Sequence, residues 1–336
     1  MKNEDIVLSC IQPTGALHFG NYFGAIKNWT ELQKDHTCIF GVVDYHAMTM
    51  PYNPKELHKN TMDMVFDLLA CGIDPNKAIL FIQSLIPEHT ELCWILSCFC
   101  SYGELQRMTQ FKDKSADEKT QEKGNIVSAG LFIYPVLQAA DILIYKATHV
   151  PVGKDQEQHL ELSRNIAIRF NNKHGEYFKV PKALFTEIPK LLSLADPSKK
   201  MSKSLGAQHV IGLFEDETSI RKKVKTAVTD VGIRSEKMSP GVANLFELLK
   251  ACDRIAEYNS LLKDYSAGTL KYSILKEYVA IGLIELSKQF ISRKVEIGNN
   301  KKLIEEQVYD MSSKARKLAQ KTITDVRMMV GLPKRK

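Results

Sequence analysis

Two short segments, about 180 residues apart, carry side chains suited to handling phosphate. The first is Gln12-Pro13-Thr14-Gly15-Ala16-Leu17-His18-Phe19-Gly20-Asn21, set between an apolar run and a helical pattern. A helix N-terminus presents free N–H groups and a partial positive charge, which suits an anion. His18 and Asn21 are three apart, so both can project from the first turn toward one ligand. Gly20 has no Cβ, which leaves room for a ribose or purine against the backbone. The second segment is Lys200-Met201-Ser202-Lys203-Ser204-Leu205-Gly206, small, polar and doubly basic. Flexible ammonium groups on such a loop can follow negative charge from a triphosphate to a leaving pyrophosphate. Each segment alone has an ordinary explanation, a capped helix with a turn glycine or a Ser/Lys linker. Together, in this order, they point to nucleotide chemistry.

Strands and helices must place these segments. Ile6 to Cys10 is a short apolar run, followed by a helix through Tyr22, Ile26, Trp29 and Leu32 and a β-rich run from Cys38 to Val43. Asn53-Pro54 caps and starts a helix with Leu57, Thr61, Met64, Val65, Leu68 and Leu69 at helical spacing, stopping at Gly72. Ala78 to Ile82 reads as a third buried strand, and Val150 to Val152 and Leu191 to Ala195 as later short ones. This βαβ rhythm predicts an α/β, doubly wound parallel sheet. From Ser219 the periodicity is helical. The expected division is therefore residues 1–205 and an all-helical unit at 206–299, with a terminal helix at about 300–336 that can pack back on the first. That helix places Val308, Met311, Ala315, Leu318, Ala319, Val326 and Val330 on one face and ends at Gly331. Lys112 to Asn125 is charged and nearly free of apolar residues, so a mobile loop is expected there.

The whole chain, 336 residues at 44% apolar and 25% charged, excludes disordered and collagen-like classes and is comfortable for two domains. Its longest apolar stretch, Gly130 to Tyr145, contains Gln138 and Asp141 and is too short and polar to span a bilayer. Met1 to Asp5 carries acid where a signal peptide needs basic and apolar residues, so a cytosolic protein without membrane partners is expected. Seven Cys without regular spacing suggest reduced, mostly buried thiols. Cys93, Cys98 and Cys100 match no common zinc ribbon, so core thiols and no metal site are expected. Lys plus Arg number 46 against 39 Asp plus Glu, hence +7. Lys301 to Lys336 holds ten basic and four acidic residues. On charge alone, a polyanionic partner and a merely solvated basic helix both remain open.

The H-x-G-N element at His18 to Asn21, with Lys-Met-Ser-Lys-Ser after the sheet, resembles the class I aminoacyl-tRNA synthetases. Within that class, Val43 to Thr49, Met108 to Lys112, Ala139 to Leu143 and Val152 to His159 resemble the tryptophanyl enzymes of bacterial type. The likeness runs from about Ser9 to Asp230 and then weakens. It implies a Rossmann-like catalytic domain with a helical anticodon-binding domain. It also implies ATP with Mg2+, L-tryptophan and tRNA(Trp) as reactants, and a homodimer.

The same resemblance assigns roles. Gln12, Pro13 and Thr14 would bound the nucleotide and the amino-acid carboxylate, and Gly20 and Asn21 would meet ATP. Gly153, Lys154 and Asp155 would hold the ribose, and the Leu191 backbone the adenine. Lys200, Met201, Ser202, Lys203 and Ser204 would close over the triphosphate, with Lys200, Ser202, Lys203 and His18 in the catalytic roles. Lys114 would add a further triphosphate contact. Tyr134, Gln138 and Asp141 lie at i, i+4 and i+7, one helical stripe. Asp141 would accept the indole N–H, and Tyr134, Gln138, His46, Gln156 and Gln12 would complete the tryptophan site. An acceptor of this kind rejects donor-free aromatics better than shape can. The plainer reading of Asp141 is a helix acid paired to a nearby Lys. Four departures stand out: Asn21 for the usual His, Gln138 where some bacterial relatives carry Met, Lys154 for Glu, and a single helical-domain cysteine, Cys252, which excludes an iron–sulfur cluster. Gln138 makes a tyrosyl enzyme the runner-up, and a non-catalytic RNA-binding paralogue is the alternative of a different class.

Overall fold

The computed structural model describes residues 5–115, 127–153, 156–184, 191–229 and 238–334. Strand β1 (Ile6–Ile11) leads into α1 (Phe19–Asn21), a π-helical turn (Tyr22–Ile26) and α2 (Lys27–Asp35). Then come β2 (Thr37–Val42), α3 (Asp44–Ala47), α4 (Pro54–Ala70), β3 (Ala78–Ile82), α5 (Glu88–Ser97), α6 (Tyr102–Gln106) and α7 (Thr109–Ser115). Next are α8 (Ala129–Leu143), β4 (His149–Pro151), α9 (Glu157–His174) and β5 (Lys182–Leu184). The remainder is helical: α10 (Glu217–Lys225), α11 (Pro240–Ala251), α12 (Ile255–Ser266), α13 (Tyr272–Asn299) and α14 (Lys301–Met329).

All five strands are parallel, in the order β3-β2-β1-β4-β5. The chain builds outward from β1 to β2 and β3, then crosses back to place β4 on the other side. That reversal opens a crevice beyond the carboxyl end of β1, where ligands bind in folds of this kind. Side chains alternate across the sheet: Val7, Phe40 and Leu80 face one apolar cluster, and Leu8, Ile39 and Phe81 the other. The first cluster continues from α2 and α4 into α10, α11 and α13; the second is closed by α5, α8 and α9.

The last helix joins both. Val308 and Met311 of α14 belong to the first cluster, while Ala315, Ala319, Ile323 and Val326 belong to the second. β3 is an edge strand, and α14 packs against it. Strand edges present unpaired backbone groups that must be covered; here Ser312 Oγ accepts the Ile82 N–H at 3.2 Å. Leu318 departs from the expected apolar face and is exposed.

Local signals act as their chemistry requires. Asn53 Oδ1 accepts the Lys55 N–H at 3.1 Å, with Pro54 at the first helical position of α4. Gly72 and Gly331 take positive φ after α4 and α14. Three expectations need correction. Leu191 to Ala195 is not a sheet strand; the fifth strand is Lys182–Leu184. Leu191 and Leu194 are buried, and Leu192 makes an antiparallel bridge to Lys200 instead. Asn244 fixes that bend, accepting the Leu192 N–H at 2.8 Å and donating to its carbonyl at 3.0 Å. Lys112 to Ser115 is the end of α7, not a loop, and the rest of that segment lies outside the described residues. The seven cysteines are free, but only Cys38 and Cys71 are buried; Cys98 is exposed and Cys93 half-buried, since α5 turns that side outward. Among the described residues, no helix is long and apolar enough to cross a membrane.

Gly41 in β2 lies where its neighbours leave no space. A Cβ there would sit 2.5 Å from Phe81 Cζ and 2.9 Å from Cys10 Sγ. Gly41→Ala should therefore cost about 1–3 kcal/mol by overpacking. Urea denaturation is the check, with a lowered midpoint at unchanged slope expected and an unmoved midpoint refuting the crowding.

Candidate active site

The two sequence segments meet. A cleft of about 450 Å3 at the end of β1 is lined by Ile11, Gln12, Thr14, Gly15, Leu17, His18, Asn21, Met64, Ser202 and Lys203. Gly15 has φ +96°, and a Cβ built there would lie 3.7 Å from Lys203 Nζ. A side chain at Gly15 would be strained by its own backbone. The segment after the Lys/Ser loop is stitched back onto the turn. Phe19 N–H donates to the Ile211 carbonyl and Leu213 N–H to the Leu17 carbonyl, both at 3.0 Å.

Gly20 leaves room for its neighbours. A Cβ on it would sit 2.8 Å from Nδ1 of His18 and 3.4 Å from Met201 Sδ. The missing side chain makes room for the imidazole and for the buried Met201. Asn21 turns back, its Oδ1 accepting the His18 N–H at 3.1 Å. His18 is buried, and its Nδ1 has no partner among the described residues. Burial lowers its pKa to about 4, helped by Lys203 and then Lys200. The ring is thus an uncharged hydrogen-bonding group at neutral pH. Burial also lowers the Lys203 ammonium, against the pull of Asp67. Asp67, on α4, is itself buried and pairs with Lys294 of α13 at 2.5 Å.

The remaining loop residues divide. Met201 N–H donates to the Leu191 carbonyl at 3.3 Å, so Leu191 is fastened to the loop. Pro13 is buried beside the cleft, and Lys200 is exposed outside its lining. The Ser204 and Lys114 side chains, and Lys154 and Asp155 altogether, lie outside the described residues.

Of the residues expected to form the tryptophan site, His46 is hydrogen-bonded to Asp141, on α8, while Gln12 lines the cleft at the end of β1. Asp141 Oδ2 receives His46 Nε2–H at 2.8 Å. Its Oδ1 receives the Gln83 amide at 2.7 Å and His89 Nδ1–H at 2.6 Å. His89 Nε2 then takes the Tyr145 hydroxyl at 2.8 Å, and the His89 ring stacks on Phe81. Burial alone would raise the Asp141 pKa, but the hydrogen bonds from His46 and His89 outweigh it and hold the value at about 2. Asp141 is an ionised acceptor, and its partners are two histidines and an amide, not a lysine. Both lone pairs of Oδ1 are taken; Oδ2 keeps one.

Tyr134, one of the stripe residues, donates to Gln110 Oε1 at 3.3 Å and meets His159 Nε2 at 2.7 Å. Its ring lies 6.3 Å from that of His46, edge to face. Gln138 is half-buried, with no side-chain hydrogen bond among the described residues. Gln156 begins α9, its N–H donating to the Gly153 carbonyl at 2.9 Å. Sequence reasoning missed Gln83, His89 and Tyr145. None belongs to a recognisable motif, and only the fold brings Gln83 and His89 to the carboxylate and Tyr145 to His89.

A family model for class I tRNA synthetases (W and Y) matches residues 1–288. The chain belongs to that family. It is 42% identical to a tryptophan–tRNA ligase of Clostridium tetani over 98% of this chain and 96% of that one. The fold is similar to the crystal structure of a tryptophanyl-tRNA synthetase from Mycoplasma pneumoniae, with TM-score 0.87, 34% identity and 98% of each chain covered. It is also similar to the Campylobacter jejuni tryptophanyl-tRNA synthetase complexed with ADP and tryptophan. There the TM-score is 0.82 at 35% identity, covering 97% of this chain and 100% of that one. An archaeal tyrosyl-tRNA synthetase with L-tyrosine shares the fold at 20% identity, with TM-score 0.68. The relatives thus favour the tryptophan branch over the tyrosine runner-up.

The uncharged state of His18 has a measurable cost in acid. Its folded pKa of about 4 lies below the ordinary 6.5. As pH falls from 6.5 toward 4, the unfolded chain takes up a proton that the folded chain refuses, and stability drops. His18→Asn removes that contribution, so its denaturation midpoint should fall less than the wild type's between pH 7 and pH 4.5. Parallel pH curves would show that His18 titrates normally.

Proposed function

We propose that the protein is a tryptophan–tRNA ligase. It joins L-tryptophan to ATP, giving tryptophanyl-adenylate and pyrophosphate, and then transfers the tryptophanyl group to the terminal ribose of tRNA(Trp). The observation that carries this reading is Asp141: a buried carboxylate, held ionised, with one unused lone pair suited to an indole N–H.

In the first step the tryptophan carboxylate attacks the α-phosphorus in line. An O–P bond forms, and the bond to pyrophosphate breaks. No protein nucleophile is required, so the residues act by positioning and charge. Gln12 and Thr14 bound the cleft, with His18 and Asn21 as neutral hydrogen-bonding groups toward phosphate. The exposed Lys203 ammonium, beside Gly15, follows the triphosphate as charge moves to the leaving group. Lys200, Met201, Ser202 and Ser204 bring it there. Gly153, Lys154 and Asp155 hold the ribose, and the Leu191 backbone the adenine. Tyr134, Gln138, His46 and Gln156 complete the amino-acid site around Asp141. Mg2+ comes with the phosphates as part of the substrate.

The second step uses the helical unit, residues 206–299, for the anticodon, with the basic terminal helix beside it. The enzyme acts as a homodimer in the cytosol. Trp94 of α5 and Tyr102 of α6, 75% and 66% exposed, mark an apolar face that such a partner copy would cover.

Amino-acid-dependent ATP–pyrophosphate exchange without tRNA is the test. Exchange with tryptophan and none with tyrosine is expected; the reverse would move the specificity to the runner-up. Lys203→Ala should slow exchange by roughly two orders of magnitude, the scale of one lost transition-state contact. A loss below about threefold would take Lys203 out of the charge-stabilising role. Affinity for tRNA should fall steeply with added salt as phosphate contacts are displaced, and a flat response would exclude the basic surface.

A further inference from the structure

The donors that fix Asp141 are themselves fixed from the far end of the chain. Gln83 follows Ile82, the last residue of edge strand β3, and the Ile82 N–H is bound by Ser312 Oγ at 3.2 Å. His89 follows Glu88 in the first turn of α5. Glu88 is 1% exposed, and its two carboxylate oxygens take Arg316 Nε–H at 3.1 and 3.2 Å. Ser312 and Arg316 are four apart on α14, so they lie on one face, a single turn from each other. One turn of the terminal helix therefore holds both residues that neighbour the Oδ1 donors of Asp141.

We infer that Ser312 and Arg316 are positioning residues for amino-acid selection. They set where Gln83 and His89 point and so which lone pair of Asp141 is left for the substrate. With Oδ1 saturated by both donors, the indole N–H has to come to Oδ2, alongside His46. If the Ile82–Gln83 backbone or the start of α5 shifts, an Oδ1 lone pair opens, the carboxylate can rotate, and the single acceptor direction is lost. Glu88 reinforces the arrangement: buried as it is, it tolerates little movement away from Arg316. The Tyr145 hydroxyl and the Phe81 face close the other sides of His89, so α5 can reposition it only as a unit. This inference rests on the proposed reading that Asp141 accepts the indole N–H.

The test compares tryptophan with β-(3-benzothienyl)alanine, whose sulfur replaces the ring N–H, in ATP–pyrophosphate exchange by the full-length enzyme. The ratio of kcat/KM values reports donor recognition. The wild type should favour tryptophan strongly, and His89→Ala should lose much of that preference. Arg316→Ala and Ser312→Ala should each reduce the ratio by about three- to thirtyfold, the range for residues that act through a packed neighbour. The change should fall on KM for tryptophan, with KM for ATP within about twofold, since the nucleotide cleft is untouched. If Arg316→Ala does not fold, because Glu88 is left buried without its partner, the double variant Glu88→Gln with Arg316→Met takes its place. A His89→Ala loss with an unchanged ratio in the α14 variants overturns the inference while the Asp141 reading stands. A lowered melting temperature and equal losses with both amino acids would likewise leave α14 a structural strut only, and the inference fails. No preference in the wild type refutes the Asp141 reading itself, and the inference falls with it.

Discussion

A carboxylate without water around it must be given hydrogen bonds or give up its charge. Asp141 keeps its charge, and much of the architecture is arranged so that it can. Its three donors come from three places: His46 from the short helix after β2, Gln83 from the end of β3, and His89 from the first turn of α5. Asp141 itself comes from α8, which packs between α5 and α9. The parallel sheet sets the carboxyl ends of β2 and β3 next to each other, bringing two of these elements together. A recognition site of this kind cannot belong to one loop. It is a property of the whole crevice.

The nucleotide side follows the opposite logic. Its parts are lysines on a loop and a helix N-terminus, and they are kept partly wet. The exposed Lys203 ammonium is lowered by partial desolvation against the pull of Asp67, whose own carboxylate is committed to Lys294. His18 is held uncharged by burial and by the lysines themselves. A site with every cation neutralised in advance would bind a triphosphate less well, and one with a further fixed positive charge would grip pyrophosphate too firmly on release. In the proposed nucleotide role, the neutral imidazole and neutral Asn21 amide supply hydrogen bonds without adding to the field.

The difference between these two sides explains how much the sequence revealed. The phosphate elements are contiguous, with glycines and basic residues at short spacing, so Gln12 to Asn21 and Lys200 to Gly206 were readable as chemistry. Strands β1 to β3 and the capped α4 were readable too, because apolar runs and an Asn-Pro start are local signals. Asp141 drew attention as an acid on an apolar helix. Its donors did not: Gln83, His89 and Tyr145 are single polar residues whose meaning depends on contacts across 50 to 60 positions, at separations of 58, 52 and, for the Tyr145–His89 pair, 56. The misread strand at Leu191 to Ala195 has the same origin. Its leucines are buried as a strand's would be, but Asn244 and the Lys200 bridge decide its path, and neither is local.

The closure of the sheet edge by α14 also governs how the chain can be made. The residue that caps the β3 edge, Ser312, follows Ile82 by 230 positions. A ribosome must therefore extrude the central helices, all of α13 and the first turns of α14 while that edge remains open. An uncovered edge strand, Ala-Ile-Leu-Phe-Ile in this case, is a template for pairing with other chains. The nascent protein thus spends 230 of its 336 residues of synthesis with an aggregation-competent strand uncovered. The helix that finishes the enzyme is also the one that ends this exposure.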